Sequence, residues 1–211
     1  ASDAEYMAAV EAGDMETAQR MVDEAAVKGG YTTEGWHGSR SKERFATFDD
    51  YWSGSGADLN RNADLGSGFY FTPSRDDALG YARYDEGKLY HVWLRLNQPA
   101  TEADLTKYGD DLQYEGFDGV MADNGMEYSV FSPEQIKSAD PVTRDDAGNV
   151  IPLSKRFNPQ SDSILYSNPT PIDPVTEGDT PTTESNRANP GDSPLNRRAA
   201  AHARAKYEAE E

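Results

Sequence analysis

Between residues 15 and 25 of this 211-residue chain the apolar side chains recur every three or four positions, so that Met15, Ala18, Met21, Val22 and Ala25 fall on one helical face. The stretch before it, SDAEYMAAVEAG, carries its own punctuation. Ser2 as N-cap with Glu5 three residues on makes a capping box, and Gly13 ends the run. A second helix starts at Asp14 and stops at Gly29-Gly30. Residues 1–30 are therefore expected to form a helical hairpin that leans on the chain after residue 30, its methionine stripe serving as packing.

From Tyr31 the pattern changes to short runs rich in aromatic and branched residues. GFYFT (68–72), KLYHVWLRL (88–96), FDGVMA (117–122) and EYSVF (127–131) are expected strands, the last two joined by a turn at DNGM with its Asn-Gly pair. One clear helix interrupts them. In TPSRDDALGYARY, Thr72 is the expected N-cap, Pro73 the first helical residue, and Ala78, Tyr81 and Ala82 share a face. These elements predict an α+β domain over 31–167. Beyond Ser167 the chain turns to Pro, Thr, Asn and Asp with little to bury, so 168–211 is expected to be a linker or disordered tail. Its end, LNRRAAAHARAKYEAEE, has a helical pattern that is marginal alone. No internal repeat is visible.

A hydrophobic share of 36%, with 18 glycines and 12 prolines, fits a compact domain with long loops. No apolar run approaches the roughly 18 residues that span a bilayer, and no signal-peptide pattern opens the chain. The absence of cysteine excludes disulfides, iron–sulfur clusters and thiolate zinc sites, and makes a cytosolic setting the plain expectation. The net charge of -18 argues against a general affinity for nucleic-acid phosphates. It is spread unevenly, at about -6 over 1–35, -1 over 36–101, -9 over 102–150 and -2 over 151–211. The near-neutral stretch 36–101 would repel an anionic small molecule least.

The common catalytic signatures are absent: there is no GxxxxGK[ST], GxSxG or HExxH, and no spaced metal set among the three histidines. The GSG at 66–68 precedes a strand, so it is a turn rather than a dinucleotide fingerprint. Three pieces remain that a scaffold does not need. GWHGSR (35–40) sets His37 among small residues, GSGFYFTPSRDDALGYA (66–82) puts Tyr70 on a strand and Tyr81 on a helix, and MEYSVFSPEQI (126–136) opens an apolar strand with Glu127. Each has a plain alternative, since His37 can pack a core and Glu127 can simply be solvated. His91, inside LYHVWLRL, is expected to be an ordinary strand residue, and His202 in the tail to do no chemistry.

Taken in order, WHGS, GSGFYF with Tyr81, and EYSVF resemble the His-Tyr-Glu class of ADP-ribosyltransferases, the class of the poly(ADP-ribose) polymerases and diphtheria toxin. GFDGVMADNGMEYSVFSPEQIKSA followed by RFNPQSDSILYS is similar to the transferase domains embedded in phage and prophage polyvalent proteins. The resemblance covers about Tyr31 to Ser167. It implies two small, bent, mostly antiparallel sheets around an NAD cleft, with no metal. It further implies transfer of ADP-ribose from NAD to a macromolecular acceptor, a host protein modified once in the bacterial cytoplasm, with nicotinamide released.

The resemblance also implies roles. Tyr70 and Tyr81 would sandwich the nicotinamide ring, and the backbone of Gly38 would read its carboxamide. His37 would hydrogen-bond a ribose hydroxyl, with Ser39 assisting. Glu127 would hold the 2′-hydroxyl of the nicotinamide ribose and stabilise the cation that develops as the glycosidic bond breaks. Catalysis would thus rest on Glu127, His37 and Tyr70, while Arg40 and Arg61 would take the pyrophosphate. Two departures matter. Ala78 stands where many relatives place a carboxamide-holding serine, so nicotinamide would lean more on Gly38. Gly125 stands two residues before Glu127, where arginine-modifying transferases carry a glutamate, so an arginine acceptor is not indicated. Readings from other classes are an acidic imitation of nucleic acid, drawing on the carboxylates of 102–150, and a protein that binds NAD or ADP-ribose without turning it over. The acidic stretch would also suit recruitment of a basic or nucleic-acid-binding target.

Overall fold

The structure, a computed structural model, describes residues 2–49, 65–82 and 87–165. The expectations for Arg61, His202 and the 168–211 tail lie outside the described residues. The chain opens with α1 (Asp3–Glu11) and α2 (Met15–Lys28). The capping box forms as the sequence predicts: Glu5 N–H donates to Ser2 Oγ at 3.3 Å and Ser2 N–H to Glu5 Oε2 at 2.8 Å. Asp14 caps α2 by accepting from Thr17 N–H at 3.1 Å. The buried face of α2 is Ala18, Met21, Val22 and Ala26, one step round from the expected stripe. Met15, at the turn end of the hairpin and beyond that cluster, is 39% exposed.

Three strands, β1 (Thr33–Ser39), β3 (Lys88–Leu94) and β7 (Ile136–Ser138), form an antiparallel sheet in the order β1-β3-β7. A second sheet runs β2-β6-β5-β4, from β2 (Phe69–Phe71), β6 (Tyr128–Val130), β5 (Gly119–Met121) and β4 (Pro99–Ala100). All its pairs are antiparallel except β4 with β5. A bridge joins the sheets, with Trp36 N–H donating to Thr72 O at 2.8 Å and Thr72 N–H to Trp36 O at 3.0 Å. Between them sits a core in which alternate strand positions interdigitate: Phe69 and Phe71, Tyr90, Val92 and Leu94, Tyr128 and Val130. This is the α+β class that the sequence pattern predicts, in the arrangement of two mostly antiparallel sheets that the resemblance implies.

Three details depart from the expectation. The helix α3 (Arg75–Tyr81) is capped by Ser74, whose side chain accepts from Asp77 N–H at 3.2 Å, and not by Thr72. Thr72 is committed elsewhere: its backbone closes the bridge to Trp36, and its Oγ1 accepts from Ser74 N–H at 3.1 Å, so the helix begins after it. A second helix, α4 (Glu102–Tyr108), follows Thr101; it fully buries no side chain, and its inward face is only the half-buried Leu105 and Tyr108, too short a stripe for the sequence to reveal. Strand β7 hides behind Lys137, a buried cation in the middle of Ile136–Ser138. Among the described residues, no helix is long and apolar enough to cross a membrane.

Candidate active site

Strand alternation decides which side chains leave the core. Since Phe69 and Phe71 point into it, Tyr70 and Thr72 lie on the opposite face of β2. Since Tyr128 and Val130 point into it, Glu127 and Ser129 lie on the opposite face of β6. The register pairs Phe71 with Tyr128, and one step further Thr72 comes opposite Glu127. Both line a cleft of about 530 Å³, together with Tyr81, Asp77, Glu102 and Met126. The turn before Glu127 presents it there. Gly125 takes φ +68°, its N–H donates to Ala122 O at 2.8 Å, and Ala122 N–H donates to Glu127 O at 2.9 Å. The Glu127 side chain is half-buried at this mouth.

His37 stands behind the cleft, joined to it through β2. Its Nδ1 lies 2.8 Å from Tyr70 O. A carbonyl only accepts, so Nδ1 carries the proton and Nε2 of the neutral ring is left as an acceptor. Phe48 and Phe71 pack against the imidazole at ring-centroid distances of 5.0 and 5.6 Å. Burial lowers the His37 pKa, with the Tyr70 carbonyl pulling weakly the other way, so the ring stays neutral near pH 7. The phenol of Tyr70 is itself anchored: it donates to Gly66 O at 2.5 Å and accepts from Leu65 N–H at 3.2 Å. Tyr81, at the end of α3, is by contrast 56% exposed.

Gly38 has a structural task. A Cβ there would lie 1.8 Å from Ala78 O and 2.9 Å from Ala82 N, so the missing side chain is what lets α3 close onto β1. Its backbone has a separate direction. Trp36 turns its N–H and C=O toward Thr72, and alternation in an antiparallel ladder sends those of Gly38 to the same side, away from β3. Ser39 Oγ accepts from Ser41 N–H at 3.1 Å, and Arg40 is exposed just beyond β1. His91, expected to be an ordinary strand residue, pairs with Glu34 Oε1 at 2.5 Å and stacks on Trp36 at 4.0 Å.

The structure therefore brings Tyr81 and Glu127 into one cleft, sets His37 and Tyr70 behind it, and leaves Ser39 and Arg40 at the end of β1. Sequence reasoning missed Thr72, Asp77, Glu102 and Met126 as cleft residues. Thr72 was within reach, because it lies two positions after Tyr70 and must share its face. Glu102 gave no local signal. Among the described residues, no three His, Asp or Glu side chains are placed to hold a metal ion.

Residues 28–111 match the family model described as ADP-ribosyltransferase in polyvalent proteins. The likeness is to this segment of the chain. The transferase match takes in His37, Gly38, Tyr70 and Tyr81 and ends before Glu127, which reaches the same cleft through the pairing of β6 with β2. No curated protein and no solved structure matches the chain.

Proposed function

We propose that the cleft binds NAD and that the chain transfers a single ADP-ribose unit to a host protein in the bacterial cytoplasm. The observation that carries this reading is the meeting in one cleft of Tyr81, inside the segment that matches the transferase family, and Glu127, far from it in sequence. NAD is the co-substrate, and its nicotinamide–ribose bond is the one that breaks. The residues fit it. Tyr81 offers an open aromatic face for the nicotinamide ring, and Tyr70, anchored behind the cleft, would supply the second. Neutral His37 offers Nε2 to a ribose hydroxyl, and the Gly38 backbone groups, directed away from β3, suit the carboxamide. Ser39 would assist His37, and Arg40 with Arg61 would take the pyrophosphate. The bond breaks with its electron pair leaving on nicotinamide, and Glu127 holds the ribose 2′-hydroxyl and faces the resulting cation. A nucleophile of the acceptor then captures C1′ and loses its proton.

The test is nicotinamide release and label transfer from NAD by the full chain, alone and in a bacterial lysate, with Glu127→Gln alongside. Release or labelling by the wild type, lost in the variant, is the expected result. If neither protein consumes NAD but the wild type binds it, the chain is a binding protein without turnover.

A further inference from the structure

His37 is held by two groups of contacts, and only one of them comes from a regular strand. From β2, the Tyr70 carbonyl accepts from Nδ1 and Phe71 packs on the ring. The other contact is Phe48, which meets the imidazole edge to face, at a centroid distance of 5.0 Å and an interplanar angle of 75°. Phe48 is 4% exposed, yet residues 45–48 belong to no helix or strand, so tertiary contacts alone place them. Phe45 N–H donates to the Tyr90 hydroxyl at 2.9 Å, and its ring stacks on Tyr90 at 4.4 Å. Ala46 O accepts from Ile164 N–H at 2.7 Å, and Thr47 bridges to Ser163. The stretch around Ile164 is pinned in turn. Ser138 N–H donates to Ile164 O at 2.8 Å, and the buried Lys137 Nζ donates to Ser163 O at 2.8 Å. Residues 161–165 lie beyond the segment that matches the transferase family, so a bracket anchored outside that segment reaches the histidine within it.

We propose that Phe48 is a positioning residue for His37: it fixes the imidazole against β2 and excludes water from it, so that the ring presents the Nδ1–H tautomer with Nε2 as acceptor. That Nε2 then meets a ribose hydroxyl rests on the NAD-transferase reading above. Burial is the main cause that lowers the His37 pKa, and Phe48 is one of the rings that bury it. Among the described residues, the titratable and charged groups around it are the Tyr90 phenol of β3, at a ring distance of 6.2 Å, Arg44, whose guanidinium lies over the Tyr90 ring at 5.4 Å, and Asp49, exposed beside Phe48. Removing the Phe48 ring lets water reach the imidazole, which favours its charged form and frees it to turn.

The experiment reads His37 directly. The full chain is prepared with isotope-labelled histidine, and proton–nitrogen NMR follows the tautomer and titration of each imidazole, with His37→Gln assigning the signal. Phe48→Ala is compared with Leu96→Ala, a truncation in the same core cluster. In the wild type a single Nδ1–H tautomer is expected to persist to below the ordinary histidine value of about 6.5. In Phe48→Ala the midpoint should rise by at least about half a pH unit and the single tautomer should be lost, while Leu96→Ala leaves both unchanged. In turnover, kcat/KM for NAD should fall about tenfold in Phe48→Ala, with its acid limb moved to higher pH. An unmoved His37 signal in folded Phe48→Ala overturns the proposal. An equal shift in Leu96→Ala overturns it too, since that marks a general loosening of the core. Where Phe48→Ala does not fold, Phe48→Leu carries the same test: loss of the single tautomer supports the proposal and its retention overturns it. The titration needs no NAD, so a shifted His37 in a chain that never consumes NAD sinks the transferase reading and leaves the role of Phe48 standing.

Discussion

The hairpin side of the domain and the cleft side solve opposite problems. Where α1 and α2 meet β7 and the segment after it, the largest buried polar side chains are tied to partners, although the Thr143 hydroxyl is buried without one. Arg156, 1% exposed, donates to Ser138 O at 3.0 Å and Asp140 O at 2.7 Å, and Tyr6 O–H donates to Pro141 O at 2.8 Å. Lys137 Nζ, fully buried, donates to Ser161 O and Ser163 O at 2.5 and 2.8 Å. At the cleft, strands of three residues carry Tyr70 and border Glu127, and Tyr81 and Met126 face solvent. Polar groups that are buried and saturated hold a shape, whereas groups left at an open face keep their capacity for a ligand.

Substitutions can break that contrast, and the largest effect is expected on the hairpin side. Arg156→Ala should cost about 3–4 kcal/mol, because two carbonyls lose a charged donor inside the protein, and chemical denaturation measures it. Glu127→Gln is the mirror case. Turnover should fall about 100- to 1,000-fold while the midpoint of thermal melting moves by no more than about 2 °C.

The pH dependence sharpens the comparison. Burial pushes the Lys137 ammonium down to about 8, against the attraction of Glu134 and Asp162. Above that pH the folded chain has released a proton that the unfolded chain still holds, so stability should rise between about pH 8 and 10, by up to about 2–3 kcal/mol. Lys137→Met should flatten this rise in denaturation curves taken across the range. Tyr31 and Tyr128, pushed up to about 12 mainly by burial, end it, since their unfolded phenols ionise first above about pH 10.

Gly38→Ala joins the two regions. With Ala78 O in the way it should destabilise by about 1–3 kcal/mol and also weaken turnover, because α3 carries Tyr81. The smallest effect is expected for Tyr81→Ala: stability within about 0.5 kcal/mol, with the KM for NAD raised about tenfold. Steady-state kinetics beside a melting curve separates the two.

The elements that announced themselves in the sequence are those whose signals are local. The Ser2–Glu5 box, the Asp14 cap, the aromatic and branched runs FYF and EYSVF, and the Asn-Gly turn are each complete within a few residues. What stayed hidden lacked such a signal. Helix α4 turns only Leu105 and Tyr108 inward, too few to read as a stripe, and β7 is a three-residue strand with a buried lysine, Lys137, at its centre. Thr72 looked like a cap because a Thr-Pro pair usually is one; the bridge to Trp36 outweighed that preference.

The sequence by itself determined the class of fold, the hairpin, and the order of the His37, Tyr70, Tyr81 and Glu127 motifs, because caps, alternation and turns act over a few bonds. Only the tertiary structure decided that Thr72 faces Glu127, that Gly38 is needed for α3 to close, and that Glu102 shares the cleft. Those contacts depend on strand register and on helices meeting across the sheet, and no short stretch of chain encodes where its distant neighbour will come to rest.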